Sequence, residues 1–212
     1  MVRSCNLYML TAAMPEDNSR HDFELMLQHL LIEQFKMKVR HEPKMFPSYE
    51  LVVAPGGSKL KAAADPKVPD IPVVRPEPTF DSDAFPVLPP GHGNVIAPRR
   101  GGFYARFQSF PISEFIEYLE GFVSPPEGKR HYVMDKTGLM GAYDFTLKFD
   151  AENATITTGA SVPTNTRESE PSGLVSIFKA LESQLGLKLI KGKDIQMDTI
   201  VIEHAERVPA GN

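Results

Sequence analysis

Prolines are concentrated in the middle of the chain, where 10 of the 19 fall between residues 55 and 98. This constrains the fold more than any other feature, because proline has no backbone N–H to donate and interrupts helices and sheet interiors. The sequence therefore predicts folded parts on either side of an extended linker or large surface excursion. Phe80 and Phe85 indicate that this segment lies against the folded parts.

The N-terminal part combines a helix with strands. Apolar residues recur at three- and four-residue steps through 21–35, which is one face of an amphipathic helix. Alternating residues predict strands at 37–41 and 49–54, and the short apolar stretch 7–13 predicts another. The apolar positions of the helix are Phe23, Met26, Leu27, Leu30, Leu31 and Phe35.

The C-terminal end repeats this order, with a predicted helix at 173–185 and strands at 187–190 and 198–204. Residues 31–39 align with 181–189, and 51–53 align with 200–202 after a one-residue gap. Such self-similarity favours one supersecondary unit used twice, although two amphipathic patterns can also coincide by chance. The N-terminal copy is interpreted as the second half of a unit whose first half is missing.

Between the two copies, further strands are predicted at 103–109, 131–134 and 143–149, and a helix at 111–122. The predicted class is α+β, with two small helix-strand-strand units and short sheets joined by the proline-rich linker. The predicted organisation is an N-terminal α/β unit at 1–57, the linker at 58–102, a C-terminal α+β domain at 103–208 and a tail at 209–212.

Composition narrows the function classes. Apolar residues make up 42% of the chain and charged residues 24%, which permits a packed core. The net charge of −4 gives no overall basic field, so no nucleic-acid partner is expected. The local basic set Lys36, Lys38, Arg40 and Lys44 is interpreted as a solvated strand edge. No apolar run is long enough to predict a transmembrane segment.

One turn motif stands out between 135 and 144. Asp135 and Thr137 can accept hydrogen bonds from neighbouring backbone amides, and Gly138 and Gly141 permit turn conformations closed to other residues. A structural role is therefore predicted for this motif. Its residues are Asp135, Thr137, Gly138, Gly141, Tyr143 and Asp144.

No residues are assigned to chemistry. The single cysteine, Cys5, excludes an intramolecular disulfide and a cysteine-based zinc cage. The six histidines match no helical metal signature, and nucleophile elbows, phosphate loops and dinucleotide fingerprints are absent from the sequence. The chain is predicted to be non-enzymatic, with no catalytic residue, cofactor or metal.

The motif residues also carry a resemblance. Residues 135–145, together with 178–189 and 201–204, resemble a large soil-associated acidobacterial family of uncharacterised proteins. Residues 30–39 and 49–57 fit the same family. The resemblance implies export or a periplasmic location, whereas the chain as it stands shows no signal-peptide core and would be cytoplasmic if it starts at Met1. The order of elements in 103–208 is more distantly similar to the short N-terminal domain of secretins and TonB-dependent receptors.

Together these observations predict a cell-envelope protein-interaction or sensing module with an unknown protein partner, which could bind by strand addition. The alternative is a protein that binds a small molecule or peptidoglycan fragment between its two halves. A hydrolase with a dispersed site is the weakest hypothesis.

Overall fold

The computed structural model describes residues 20–64, 79–88, 93–99, 101–125, 128–150 and 173–210. Its helices are α1 (Arg20–Gln34), α2 (Ile112–Val123) and α3 (Ile177–Ala180), and α3 continues as a π-helix over Leu181–Leu185. These elements and nine strands confirm the mixed α+β class with short sheets. The strands are β1 (Lys38–Phe46), β2 (Ser48–Val53), β3 (Lys61–Ala62), β4 (Asn94–Arg99), β5 (Gly102–Pro111), β6 (Tyr132–Asp135), β7 (Ala142–Asp150), β8 (Leu187–Lys191) and β9 (Ile195–His204).

Most predicted elements match the observed ones to within a few residues. The third helix begins at Ile177 and not at the predicted residue 173, because Gly173 has a positive φ and the Ser176 side chain caps the helix by accepting from the Lys179 amide. β1 runs through Pro43 to Phe46, beyond the predicted end at 41. A two-stranded sheet tolerates this proline because each of its strands is an edge. The predicted strand 7–13 lies outside the described residues.

The chain divides into two compact units, of which the first comprises residues 1–44 and 196–212. Its described part contains α1 and most of the two-stranded sheet β1-β9. None of its described side chains is fully buried. Several large apolar side chains in this unit are exposed, namely Phe23, Leu25, Met26, Ile200, Ile202 and Val208.

The second unit is residues 45–195, and its described part contains two sheets. In one, β2 pairs in parallel with β6 and antiparallel with β8. The other is antiparallel, with the strand order β3-β7-β5-β4. The alternating pattern of β5 and β7 places one side chain in two towards the core, where Phe107 stacks on Phe145 with ring centroids 4.6 Å apart. Phe115 of α2 packs edge-on against both rings.

This division differs from the predicted boundaries 1–57, 58–102, 103–208 and 209–212. β2, assigned to the N-terminal unit, pairs with β6 and β8 of the predicted C-terminal domain. The predicted linker contains β3 and β4, and β4 pairs with β5 along six residue pairs. The sequence signal of β4 was weak because the strand contains Pro98, and proline is tolerated in an edge strand such as β4.

The strands of the two sequence repeats pair with one another. β1 of the first copy pairs with β9 of the second, and β2 of the first pairs with β8 of the second. The first strand of each copy therefore pairs with the second strand of the other. Because of this exchange, neither repeat forms an independent sheet.

Candidate functional site

The turn motif between β6 and β7 has the predicted local bonds. The Asp135 carboxylate accepts from the Thr137 amide at 2.8 Å and from the Thr137 hydroxyl at 2.7 Å. The Thr137 hydroxyl oxygen in turn accepts from the Leu139 amide. Gly138 and Gly141 both have positive φ. All of these interactions lie within the turn, so they account for its shape.

Tyr143 and Asp144 have different surroundings from the rest of the motif. The Tyr143 hydroxyl donates to the Met140 carbonyl at 2.9 Å, which closes the turn. Asp144 lies on β7 and accepts from the Ser109 amide at 2.8 Å, across the irregularity in pairing between β5 and β7. Of the predicted motif, Asp144 alone lines the cleft described next.

A cleft of about 420 Å³ lies in the second unit, beside the edge of β7. Its apolar lining comes from Phe107, Phe145, Leu88 and Leu185. Its polar lining includes three cationic side chains and one carboxylate. These polar residues are Lys59, Lys61, Arg106, Gln108, Asp144, Thr146 and Gln184.

One wall of the cleft depends on two close backbone contacts. The π-helix is followed by Gly186, which has a φ of 67°, and a Cβ there would overlap the carbonyl of Gly57. This close approach lets the Lys59 amide donate to the Leu185 carbonyl at 2.9 Å. The Lys59 ammonium donates to the Ser183 carbonyl at 2.6 Å. Glycine at 186 thus allows the segment after β2 to lie against the end of the π-helix.

Along the outer edge of β7, the described residues that face away from β5 form hydrogen bonds to neighbouring segments, with one exception. In an antiparallel strand alternate residues direct both N–H and C=O to the same side, so residues 142, 144, 146, 148 and 150 face away from β5. Ala142 accepts from Ala63, and Asp144 pairs with Lys61.

Beyond that point, the side-chain amide of Gln184 bonds both backbone groups of Lys148. Its oxygen accepts from the Lys148 N–H at 3.1 Å, and its nitrogen donates to the Lys148 carbonyl at 2.8 Å. The Asp150 amide donates to the Val175 carbonyl. Within the described part of the chain, the outward N–H and C=O of Thr146 have no partner. Thr146 is therefore a one-residue gap in the edge of β7, and it opens into the cleft.

The charges around this gap differ in how far they are neutralised. Arg106 is ion-paired with Asp81 and also donates to the Pro86 carbonyl at 2.9 Å. In the described ranges, the Lys59 ammonium bonds only the neutral carbonyl of Ser183. Among the described residues, no carboxylate lies within ion-pair distance of the exposed Lys61. The cleft consequently carries an excess of positive charge.

Other charged residues singled out in the sequence do not gather at a site. Arg40 forms ion pairs with Glu42 and Glu203, and Lys44 is within 3.7 Å of Glu42. His41 contacts Asp198, and the His131 ring bonds the Val123 carbonyl. The described residues contain no cluster of three or more side chains able to hold a metal ion.

Sequence reasoning did not identify Lys59, Lys61, Arg106, Thr146 or Gln184. A partial signal existed in the alternation of Lys59 and Lys61 around Leu60. The open edge itself had no signal, because it depends on which strand ends beside which side chain. No helix in the described ranges is both long and apolar enough to cross a membrane.

These features define a mixed α+β protein with short sheets and a cleft at an open strand edge. The chain belongs to the family described as protein of unknown function (DUF3738), whose model matches residues 4–205. Searches of curated proteins and of solved structures find none that matches. The acidobacterial association and the likeness of 103–208 to the secretin and TonB-receptor domain stay predictions.

Proposed function

We propose that this chain is a non-catalytic protein-interaction module that binds an extended segment of a partner protein at the edge of β7. The observation that carries the proposal is the backbone N–H and C=O of Thr146, which have no partner among the described residues, beside a cleft that Thr146 lines. An extended peptide can supply one acceptor and one donor to such a pair, as in strand addition.

The surroundings of Thr146 suit a short added segment. On one side the pairing of β3 with β7 begins at Lys61, and on the other side Gln184 occupies the edge at Lys148. These limits restrict the backbone pairing at this edge to one residue. Most of the affinity must therefore come from side chains that fill the cleft, where the half-buried Leu88 offers an apolar contact.

We further propose that the module works in the cell envelope. The resemblance of residues 135–145 and 178–189 to an exported family supports this location. Fractionation of the native host, with the chain detected by antibody, tests it. Recovery in the cytoplasm alone would contradict the proposal.

The first prediction concerns Thr146. Short peptides selected from a displayed random library on the full chain are expected to bind the Thr146→Pro variant at least tenfold more weakly, because proline has no N–H and opposes pairing along that edge. Thr146→Val is the matched control, since it keeps both backbone groups and is expected to bind within about twofold. Fluorescence anisotropy measures the affinities, and circular dichroism verifies that each variant is folded.

A second readout uses the wild-type chain. Hydrogen exchange of the Thr146 amide is expected to slow when a selected peptide binds, because the peptide accepts its hydrogen bond. Unchanged exchange at Thr146, together with equal affinity for Thr146→Pro, would rule out binding at this edge.

A small-molecule or peptidoglycan-fragment binder remains the second candidate, and the cleft volume supports it. About 420 Å³ lies within the range of ligand pockets, roughly 300–1,000 Å³. Leu88, from the proline-rich part of the chain, contributes to the lining, but the cleft belongs to the second unit and does not fit the predicted position between two halves. A thermal-shift screen with muropeptides tests this candidate, and flat melting temperatures would count against it.

A further inference from the structure

We infer that the partner segment carries an aspartate or glutamate at the residue opposite Thr146, and that Lys61 and Lys59 bind its carboxylate. This inference rests on the proposed function, because it names the side chain that the same edge selects. It is motivated by the excess of cationic groups that line the cleft.

The alternation of the sheet places the partner's side chain. Residues directly opposite one another in antiparallel strands share a face, as Lys61 and Asp144 do in β3 and β7. By the same register the residue of this chain opposite Thr146 would be Lys59, but the Lys59 amide bonds the Leu185 carbonyl instead. We place the partner residue at this vacated register position. Its side chain thus lies on the same face as Lys61, Thr146 and, in the next strand, Arg106.

Lys61 is the best-placed cation for this carboxylate. It is exposed, it lines the cleft, and no carboxylate in the described ranges is close enough to form an ion pair with it. Lys59 is held beside the cleft by the Ser183 carbonyl, which uses one of the three ammonium donors and leaves its charge intact.

The other charged groups decide where an anion can sit. Asp144 also lines the cleft and repels an anion, although one of its oxygens is engaged by the Ser109 amide. Arg106 already pairs with Asp81. The carboxylate is therefore expected at the side of the cleft formed by Lys59 and Lys61, away from Ser109.

The test uses blocked seven-residue peptides built on one selected binder, with Glu, Gln, Asp, Asn, Ala or Lys at the central position. We expect the acidic peptides to bind the full chain about fivefold more tightly than their amide counterparts, with a preference that shrinks as salt rises. Lys61→Ala is expected to remove that preference, and the charge reversal Lys61→Glu to invert it in favour of a central lysine.

Lys193→Ala is the matched control, because it removes the same charge from an exposed lysine that does not line the cleft. It is expected to leave the preference unchanged. A Gln peptide that binds as well as its Glu counterpart would overturn the inference, as would equal preference in wild-type and Lys61→Glu chains. A higher affinity that appears only when the C-terminal carboxylate of the peptide is left unblocked would also overturn the inference.

Thr146→Pro separates the inference from the proposed function. If it weakens every peptide while acidic and amide forms bind alike, strand addition stands and carboxylate recognition fails. If no peptide of the series responds to Thr146→Pro, the proposed function itself fails, whichever residue the peptide carries.

Discussion

At the scale of single residues, Gly186 combines a positive φ with a close backbone contact, so its replacement is costly. Its φ of 67° is accessible to other residues only at a cost, and a Cβ would overlap the Gly57 carbonyl. The same contact brings Lys59 to Leu185 and so forms a wall of the cleft. Gly138 has nearly the same φ, 68°, but open space around the position of its missing Cβ.

This pair of glycines provides a controlled prediction. Gly186→Ala is expected to lower the free energy of unfolding by about 2–4 kcal/mol, because steric overlap adds to the cost of positive φ. Gly138→Ala is expected to cost only about 1 kcal/mol, from the backbone conformation alone. Urea denaturation of both variants measures the difference. Equal losses would show that the Gly57 contact contributes nothing.

At the scale of secondary structure, the π-helix after α3 places a side chain at a strand edge. Its wider turn lies over Leu181–Leu185 and precedes β8 directly. Gln184 of this segment bonds both backbone groups of Lys148 and so takes the place of a neighbouring strand there. π-Helical turns often occur at functional sites, and here the turn limits the open edge to Thr146.

Removing the Gln184 side chain, which caps the edge of β7 at Lys148, is expected to loosen β7 locally. Gln184→Ala should cost about 1 kcal/mol of stability and should speed hydrogen exchange of the Lys148 amide, since both hydrogen bonds to Lys148 are lost. Gln184→Glu keeps an acceptor for the Lys148 amide but has no donor for its carbonyl, so it is expected to protect that amide better than alanine does. Amide exchange followed by mass spectrometry or NMR would check this, and unchanged exchange at Lys148 in the alanine variant would contradict the capping role.

At the scale of the whole molecule, the two units differ in how much apolar surface they bury. The second unit contains every buried hydrophobic residue of the described chain, from Leu51 to Leu189. The first unit has a two-stranded sheet and side chains that are at best half-buried in its described part. A two-stranded ribbon is marginally stable in water unless other groups pack on it.

We therefore expect the units to exchange amide protons at different rates. Amides of β1 and β9 should exchange through local opening, well before those of β5 and β7, which should approach the global free energy of unfolding. Phe107→Ala should lower the free energy of unfolding by about 3–5 kcal/mol, because Phe107 is buried in the core. Ile202→Ala should change it by less than about 0.5 kcal/mol, because Ile202 is 57% exposed. Uniform exchange across both units would show that they unfold together.

Local structure was largely predictable because it depends on spacing within short segments. The steps of Phe115 and Leu119 predicted α2, and the alternation of Phe145 and Leu147 predicted β7 together with its buried face. The bonds of Asp135 and Thr137 followed from short side chains next to a glycine turn. These features need only neighbours that are a few residues apart.

Pairing, and with it the cleft, was decided only by the tertiary structure. The repeated units were not expected to exchange strands as β1 does with β9 and β2 with β8. The gap at Thr146 arises because the pairing of β3 with β7 begins only at Lys61, and Gln184 reaches Lys148 from a segment 36 residues further along the chain. The sequence by itself determined which segments become helices and strands and which faces are apolar, because those follow from local periodicity. Only the three-dimensional pairing of distant segments decided which backbone groups remain free and which charges surround them.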